Sequence, residues 1–197
     1  YFWIIICGVK IMNVYDFDGT IFKGDSTRAF WAYCLKRAPL LVRYLPGQCF
    51  AALRYLLGRT DKEAFKQAFF SYLQGMPAVE EWVEDFWRTH MGRFQPWYLA
   101  QRQPGDLIIS ASPEFLLAPA CRRLGVCPPI ASRVDMQTGR TLGPNCKGAE
   151  KVTRLRQQYP GAVIENFYSD SNSDAPLARL AQKAYFVKGG KRTLWKI

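Results

Sequence analysis

Short apolar runs alternate with helix-like segments through the second half of this 197-residue sequence. The runs "DLIIS" at 106–110, "AVIENFYS" at 162–169 and "AYFV" at 184–187 have the length and apolar content of buried strands. An earlier run, "KIMNVYDF" at 10–17, has the same character. Strands separated by helical segments predict an α/β fold with a doubly wound, Rossmann-like parallel sheet.

Residues 22–104 interrupt this alternation, because they carry helical periodicity and no strand signal. We therefore predict a core formed by residues 1–21 and 105–197, with an inserted all-helical cap at 22–104. Within the cap, Pro46-Gly47 is expected to break the helical pattern.

The opening stretch "YFWIIICGV" is apolar but too short to span a bilayer, and it lacks the basic region of a signal peptide. Met12 stands just before the first predicted strand. We expect residues 1–11 to precede the natural start of the protein. The alternative is an extension of the first strand that is buried in the sheet.

The formal net charge is +11, and 49% of the residues are hydrophobic. That apolar content predicts a folded core and excludes a disordered chain. The six cysteines form no C-x-x-C pair and His90 is the single histidine, which argues against a zinc site. Cysteines in this pattern favour reduced thiols and a cytoplasmic location.

Pairs of carboxylates follow two of the predicted strands. Asp16 and Asp18 end the first strand, and Asp170 and Asp174 follow the strand at 162–169. Two like charges so close cost free energy unless a cation, a shared proton or catalytic work compensates. An ordinary Asp-Gly turn is the alternative reading of the first pair.

A hydroxyl and an ammonium group join these acids at the same predicted edge of the sheet. Ser110 ends the second strand, and "GPNCKG" brings Lys147 to the start of a helix. Ser112-Pro113-Glu114 is expected to begin a helix with Ser112 as its N-cap. Ligands of doubly wound sheets bind beyond the carboxyl ends of the strands, and carboxylate oxygens suit Mg²⁺. The combination predicts phosphoryl transfer.

This ordered set of motifs resembles the phosphatase branch of the haloacid dehalogenase superfamily, over residues 10–20 and 105–188. The resemblance implies a phosphomonoester hydrolase that requires Mg²⁺ and acts through an aspartyl-phosphate intermediate. It implies that Asp16 is the nucleophile. It also implies that Asp18 protonates the leaving oxygen and then activates water.

The resemblance also implies roles for the other residues of the site. Mg²⁺ would be held by the carboxylates of Asp16 and Asp170 and by the backbone carbonyl of Asp18. Asp174 would support the site. The implied phosphate-binding residues are Thr20, Ser110, Ala111 and Lys147.

With a helical insertion after the first motif, this chain resembles the phosphoserine-phosphatase-like subgroup, subfamily IB. "SASPEF" at 110–115 and "FKGDST" at 22–27 differ from phosphoserine phosphatase itself. "SASPEF" is similar to bacterial phosphatases of phosphatidylglycerophosphate. We expect a small or lipid phosphate monoester as substrate. The alternatives are a phosphomutase or phosphotransferase of the same superfamily, and a phospho-accepting receiver domain, whose acceptor aspartate would lie on a later strand.

From Arg28 to Thr60 the cap has six basic residues, no acidic residue and many leucines. Basic and apolar residues on helices suit the headgroup region of an anionic membrane. We therefore predict an anionic membrane surface as a second partner, which would place the protein at the membrane periphery. In the alternative reading, the apolar faces pack on one another and the charge attracts any phosphorylated substrate. No nucleic-acid partner is expected.

Overall fold

The computed structural model describes residues 5–6 and 9–196. Within them, a mixed, mostly parallel sheet has the strand order β4-β3-β2-β5-β6-β7, and β1 pairs with β2. The strands are β1 (Ile5–Ile6), β2 (Val9–Tyr15), β3 (Leu107–Pro113), β4 (Ile130–Ser132), β5 (Val163–Ser169), β6 (Ala181–Lys188) and β7 (Lys191–Leu194). The strand pairs are parallel except β1–β2 and β6–β7, which are antiparallel.

In the part of the chain that the structure describes, five α-helices lie between β2 and β3, and three lie between later strands. The helices are α1 (Ser26–Arg37), α2 (Leu45–Leu56), α3 (Lys62–Phe69), α4 (Val79–His90), α5 (Pro96–Gln101), α6 (Glu114–Leu124), α7 (Ala149–Gln158) and α8 (Ala175–Ala178). The predicted α/β fold, with a parallel sheet and an all-helical segment after the first core strand, is confirmed. None of the described helices is long and apolar enough to cross a membrane.

Alternate residues of the central strands face opposite sides of the sheet, as the pleat requires. Ile108 of β3 belongs to a buried cluster that includes residues of α4 and α6. Leu107 and Ile109 belong to a second cluster, which includes Leu155 of α7 and Leu177 of α8. Both faces are therefore covered, which explains why β3 reads as a continuous apolar run.

The helical segment shares its core with one face of the sheet. Tyr98 of α5 packs edge-on against Tyr15 of β2, with ring centroids 4.9 Å apart. The indole of Trp87 in α4 donates a 2.6 Å hydrogen bond to the carbonyl of Leu116 in α6. The boundaries at residues 22 and 104 stay a prediction, because buried side chains are continuous across them.

Two local predictions are wrong. Ser112 does not cap a helix, since β3 continues to Pro113 and α6 begins at Glu114 without a side-chain cap. Pro46-Gly47 does not interrupt the helical pattern, because both residues lie in the first turn of α2. Proline is well tolerated there, where its missing N–H has no intrahelical acceptor to lose.

The start of the chain is described only in part. Ile5–Ile6 pairs with Val9 and Lys10 in a short antiparallel ladder, whereas residues 1–4 and 7–8 lie outside the described residues. The expectation that residues 1–11 precede the natural start therefore stays untested. The five described cysteines are free thiols.

Candidate active site

The carboxyl ends of β2, β3 and β5 meet at one edge of the sheet, and a cavity of about 660 Å³ opens there. Asp16 directly follows β2, and its backbone N–H donates to the carbonyl of Tyr168 in β5 at 2.8 Å. The cavity brings together most of the residues predicted for the site. These are Asp16, Asp18, Ser110, Ala111, Lys147 and Asp174.

A lysine that the sequence analysis did not assign lies beside the predicted nucleophile. The Lys151 ammonium donates to Oδ1 of Asp16 at 2.7 Å and to Oδ2 of Asp174 at 2.7 Å. Lys151 is only 2% exposed, so these are buried ion pairs. Ser169 also donates to Oδ2 of Asp174, at 2.8 Å. Asp174 thus holds Lys151, and Lys151 holds Asp16.

Charge in this cluster is only partly balanced. Burial raises the pKa of Asp16, although the adjacent Lys151 charge opposes that rise. Burial also tends to lower the pKa of Lys151, but the charges of Asp16 and Asp174 outweigh burial and raise it. We conclude that Lys151 remains an ammonium, because two carboxylates lie 2.7 Å from its nitrogen. One ammonium facing two carboxylates leaves a net negative charge that a cation can compensate.

Lys147, which the sequence analysis placed at the phosphoryl group, lies at the exposed rim of the same cavity. It precedes Lys151 by four residues, just before α7 begins. The sequence contains a signal for Lys151, because Lys151 and Leu155 are four residues apart and share the buried face of α7. A lysine at an apolar-periodic position is rare unless it is paired.

Asp18 lines the same cavity and is held by two donors. Its Oδ1 accepts the backbone N–H of Ser26 at 2.6 Å, and its Oδ2 accepts the Ser112 hydroxyl at 2.5 Å. The Ser112 hydroxyl is also 2.9 Å from that of Thr27 in α1. Burial raises the pKa of Asp18 to about 7, while the Ser112 bond opposes the rise. A carboxyl group with this pKa can donate and accept a proton near neutral pH.

Asp170 lies beside the main cavity and lines an adjoining cavity of about 670 Å³. Its backbone N–H donates to the Thr20 hydroxyl at 3.0 Å, and that hydroxyl donates to Oδ2 of Asp16 at 3.4 Å. Thr20 is fully buried and its single proton points to Asp16, which favours a positioning role. Phosphate binding by Thr20 stays a prediction.

Gly19 allows Asp170 to approach so closely. It has a φ of 71°, and a Cβ added there would lie 2.0 Å from Oδ2 of Asp170. Partial desolvation raises the pKa of Asp170 to about 6, and the negative charge of Asp16 adds to the rise. The carboxylates of Asp16 and Asp170 are therefore close enough for the charge of Asp16 to affect the protonation of Asp170.

These carboxylates fit a magnesium site. Among the described residues, no three imidazole, thiolate or carboxylate side chains form a complete metal cluster. The predicted set needs only two, from Asp16 and Asp170, together with the backbone carbonyl of Asp18. Mg²⁺ commonly keeps several waters and substrate oxygens as its other ligands. A dication would offset the negative charge of Asp16, which adds to the effect of burial on the pKa of Asp170.

Ser110 can offer a proton to a bound group. It is buried, it lines the cavity, and its Oγ accepts the backbone N–H of Ser112 at 3.1 Å. Because that bond uses a lone pair of the hydroxyl, the Ser110 proton remains to be donated. The carbonyl of Ala111 accepts the Lys66 ammonium at 2.9 Å.

Known proteins resemble this chain over nearly its whole length. "Protein CicA" from Caulobacter vibrioides is 30% identical, over 92% of this chain and 88% of that protein. "Histidinol-phosphatase" from Neisseria meningitidis serogroup C is 26% identical, over 91% of this chain and 90% of that protein. The crystal structure of a probable phosphoserine phosphatase from Vibrio cholerae has the same fold. Its TM-score is 0.63 at 17% identity, over 89% of this chain and 55% of that one.

The family assignment follows from a sequence profile. Residues 14–179 match the profile of the family described as haloacid dehalogenase-like hydrolase. The match extends from the strand that precedes Asp16 to the end of α8, and so it includes every residue of the site described above. This chain belongs to the haloacid dehalogenase-like hydrolase family.

Proposed function

We propose that the chain hydrolyses phosphate monoesters through a phosphorylated Asp16. The observation that carries this proposal is the pairing of two differently held carboxylates in one cavity. Asp16 is fixed by the Lys151 ammonium, and Asp18 has a pKa raised to about 7. Carboxylates in such different environments suit different roles, one as nucleophile and one as acid and base.

In the first step, Asp16 attacks phosphorus and forms a new P–O bond while the bond to the leaving oxygen breaks. Asp18 donates its proton to that oxygen, so the alcohol leaves neutral. In the second step, Asp18 takes a proton from water as the water attacks phosphorus. Inorganic phosphate then leaves and Asp16 is restored. Covalent catalysis of this kind divides one difficult step into two easier ones.

Several residues assist these steps. Asp16, Asp170 and the carbonyl of Asp18 would hold Mg²⁺, which would neutralise charge on the phosphoryl oxygens. Lys151 and Thr20 keep the Asp16 carboxylate directed into the cavity. The predicted phosphate-binding residues at the cavity wall are Ser110, Ala111 and Lys147.

The walls of the cavity support a substrate larger than phosphate. Its volume of about 660 Å³ exceeds the space that a phosphoryl group needs. The helical cap contributes an apolar wall formed by Trp31, Leu45, Ala52, Phe65 and Phe69. We propose a small or lipid phosphate monoester, with phosphoserine and phosphatidylglycerophosphate as the two candidate types. The relative named histidinol-phosphatase adds a third ester to test.

A substrate panel with purified protein and Mg²⁺ tests this proposal. The panel contains p-nitrophenyl phosphate, phosphoserine, histidinol phosphate and a dispersed phospholipid monoester. We expect release of inorganic phosphate and, after an acid quench, a phosphorylated peptide that contains Asp16. Asp16→Asn should lower turnover to about a hundredth or less. Its circular dichroism and thermal transition provide the folding control.

Other outcomes would contradict the proposal. A phosphomutase or phosphotransferase would pass the phosphoryl group to an acceptor instead of releasing inorganic phosphate. A receiver domain would become phosphorylated without turning over. A folded Asp16→Asn variant that kept more than about a hundredth of the activity would refute the nucleophile assignment.

We further propose that the cap meets an anionic membrane surface. On α2 and the turn before it, large apolar side chains face solvent instead of one another: Leu40 is 83%, Leu56 80% and Phe50 63% exposed. The basic residues of the same stretch suit anionic headgroups. Because α2 also lines the cavity, through Leu45 and Ala52, lipid contact would occur beside the proposed active site.

Cosedimentation with anionic liposomes at low and high salt tests this surface. Leu53 and Leu57 are more than half exposed, so Leu53→Glu/Leu57→Glu should fold and lose the binding that persists at high salt. The matched control, Leu180→Glu/Leu194→Glu, adds the same charge at exposed leucines elsewhere and should bind like wild type. Absence of wild-type binding at low salt would refute the membrane proposal and leave the phosphatase proposal standing.

A further inference from the structure

Three lysines line the catalytic cavity in addition to Lys151, and of these only Lys147 has been considered so far, as a predicted phosphate-binding residue. Lys62 and Lys66 come from α3 in the helical cap, and Lys147 comes from the loop before α7. Within residues 9–196, none of the three forms an ion pair with a carboxylate. Lys151, by contrast, is fully paired at the floor of the same cavity.

Lys66 is held in place by the core. Its ammonium donates to the carbonyl of Ala111 at 2.9 Å and to Oδ1 of Asn145 at 2.5 Å. An ammonium has three donors, so one remains available at the cavity wall. Asn145 is itself oriented, since its Oδ1 also accepts the Ser132 hydroxyl at 2.9 Å. Lys66 is therefore a preorganised cation.

The three ammonium groups are close enough to affect one another. Burial lowers the pKa of Lys62, and the charge of Lys147 lowers it further. Burial lowers the pKa of Lys66 to about 8, and Lys62 contributes to that decrease. Asp25 and Glu63 only partly offset the repulsion at Lys66. Gathering like charges in this way is unfavourable unless an anion binds among them.

That anion need not be the phosphoryl group under attack. The reacting phosphorus must lie against Asp16, where Lys151 supplies the local positive charge. Lys62 and Lys147 are instead exposed, at the outer part of the cavity. The cavity volume of about 660 Å³ leaves room for a substrate that reaches from one place to the other.

Resting on the proposed phosphatase activity, we propose that Lys62, Lys66 and Lys147 form a subsite for a second anionic group of the substrate. The substrate class is then a phosphate monoester that also carries a carboxylate or a second phosphate. Monoesters of neutral alcohols lack the group that would bind these lysines.

Binding of non-hydrolysable phosphonates tests this subsite independently of turnover. Calorimetry compares ω-carboxyalkylphosphonates of two to five methylene groups with alkylphosphonates of the same length. For the length that spans the cavity, we expect the carboxylate to tighten binding about tenfold or more, because charge-assisted hydrogen bonds are worth at least that much. Lys62→Gln/Lys147→Gln should lower the affinity ratio, because only Lys66 of the three lysines remains.

The matched control is Lys183→Gln/Lys191→Gln, which removes the same charge from exposed lysines of β6 and β7. This control should keep the wild-type ratio, because only a local site depends on which lysines are removed. Equal affinities of both phosphonate series for wild type would overturn the subsite, as would an unchanged ratio in Lys62→Gln/Lys147→Gln. If no ester of the substrate panel is hydrolysed but the ratio behaves as expected, the phosphatase proposal fails and the anion subsite stands.

Discussion

Replacing Lys151 with methionine should destabilise the protein more than any replacement at the cavity rim. Methionine has a similar length but no charge, so Asp16 and Asp174 would remain buried without a counter-ion. Removing one partner of a buried ion pair typically costs about 3–5 kcal/mol. We expect Lys151→Met to lower the free energy of unfolding by about that amount at pH 7.

The loss of stability in Lys151→Met should depend on pH, and the buried position of Asp16 determines the direction of that dependence. Without Lys151, the pKa of Asp16 rises further above its unfolded value, because the group that opposed the effect of burial is gone. A carboxyl group with a raised folded pKa is penalised only above its unfolded pKa of about 3.9. Wild-type Asp16 shares part of this penalty, because its folded pKa is also raised. The difference in stability between wild type and Lys151→Met should therefore widen as the pH rises above the folded-state pKa of wild-type Asp16.

Urea unfolding in EDTA, followed by fluorescence at several pH values, measures this difference. Lys147→Met is the matched control, because Lys147 is exposed and surface substitutions usually change stability by no more than about 0.5 kcal/mol. Lys151→Met/Asp174→Asn should recover part of the loss by removing one uncompensated charge. Equal stabilities of Lys151→Met and Lys147→Met, or a difference that does not change with pH, would refute the reasoning.

Three further predictions concern catalysis. Asp18→Asn should strongly slow the phosphorylation step with alkyl phosphates in single-turnover experiments, and it should slow that step less with p-nitrophenyl phosphate, since a good leaving group needs little protonation. Equal losses of rate with the two substrates would contradict the role of Asp18 as an acid. Ser112→Ala removes a hydrogen bond that stabilises the ionised form of Asp18 and so lowers its pKa. The rate with alkyl phosphates should fall above about pH 7 as Asp18 loses its proton, and in this variant that fall should occur about 1–2 pH units higher. A shift to lower pH would contradict this prediction. EDTA should abolish turnover and Mg²⁺ should restore it, while Ca²⁺ should inhibit because it accepts a looser geometry; activity after thorough chelation would remove the metal from the mechanism.

The sequence predicted the sheet and the helical segment because both are written in local patterns. β3 and β5 appear as short apolar runs, and the helices between residues 22 and 104 appear as periodic faces. Asp16, Asp18 and Ser110 were predicted to share one edge because the carboxyl ends of parallel strands meet there. The cavity contains all three, and their individual roles remain predictions.

The local signals around Ser112 were misread because its partner is remote in sequence. A serine before Pro113-Glu114 has the pattern of a helix cap, and no short-range feature distinguishes that pattern from a strand end. Ser112 instead donates to Asp18, 94 residues earlier. Only the packing of β3 beside β2 brings the two side chains together.

The sequence by itself determined the order of the strands and helices along the chain, the acids that follow the strands, and the family to which those motifs belong. The tertiary structure decided which lysine reaches the nucleophile. Lys147 and Lys151 differ in sequence by a single helical turn. α7 turns Lys151 inward to Asp16, 135 residues away, and leaves Lys147 at the rim with Lys62 and Lys66 from the cap. That difference depends on how a helix is rotated against the sheet, and side chains distant in the sequence set that rotation by filling the space between helix and sheet.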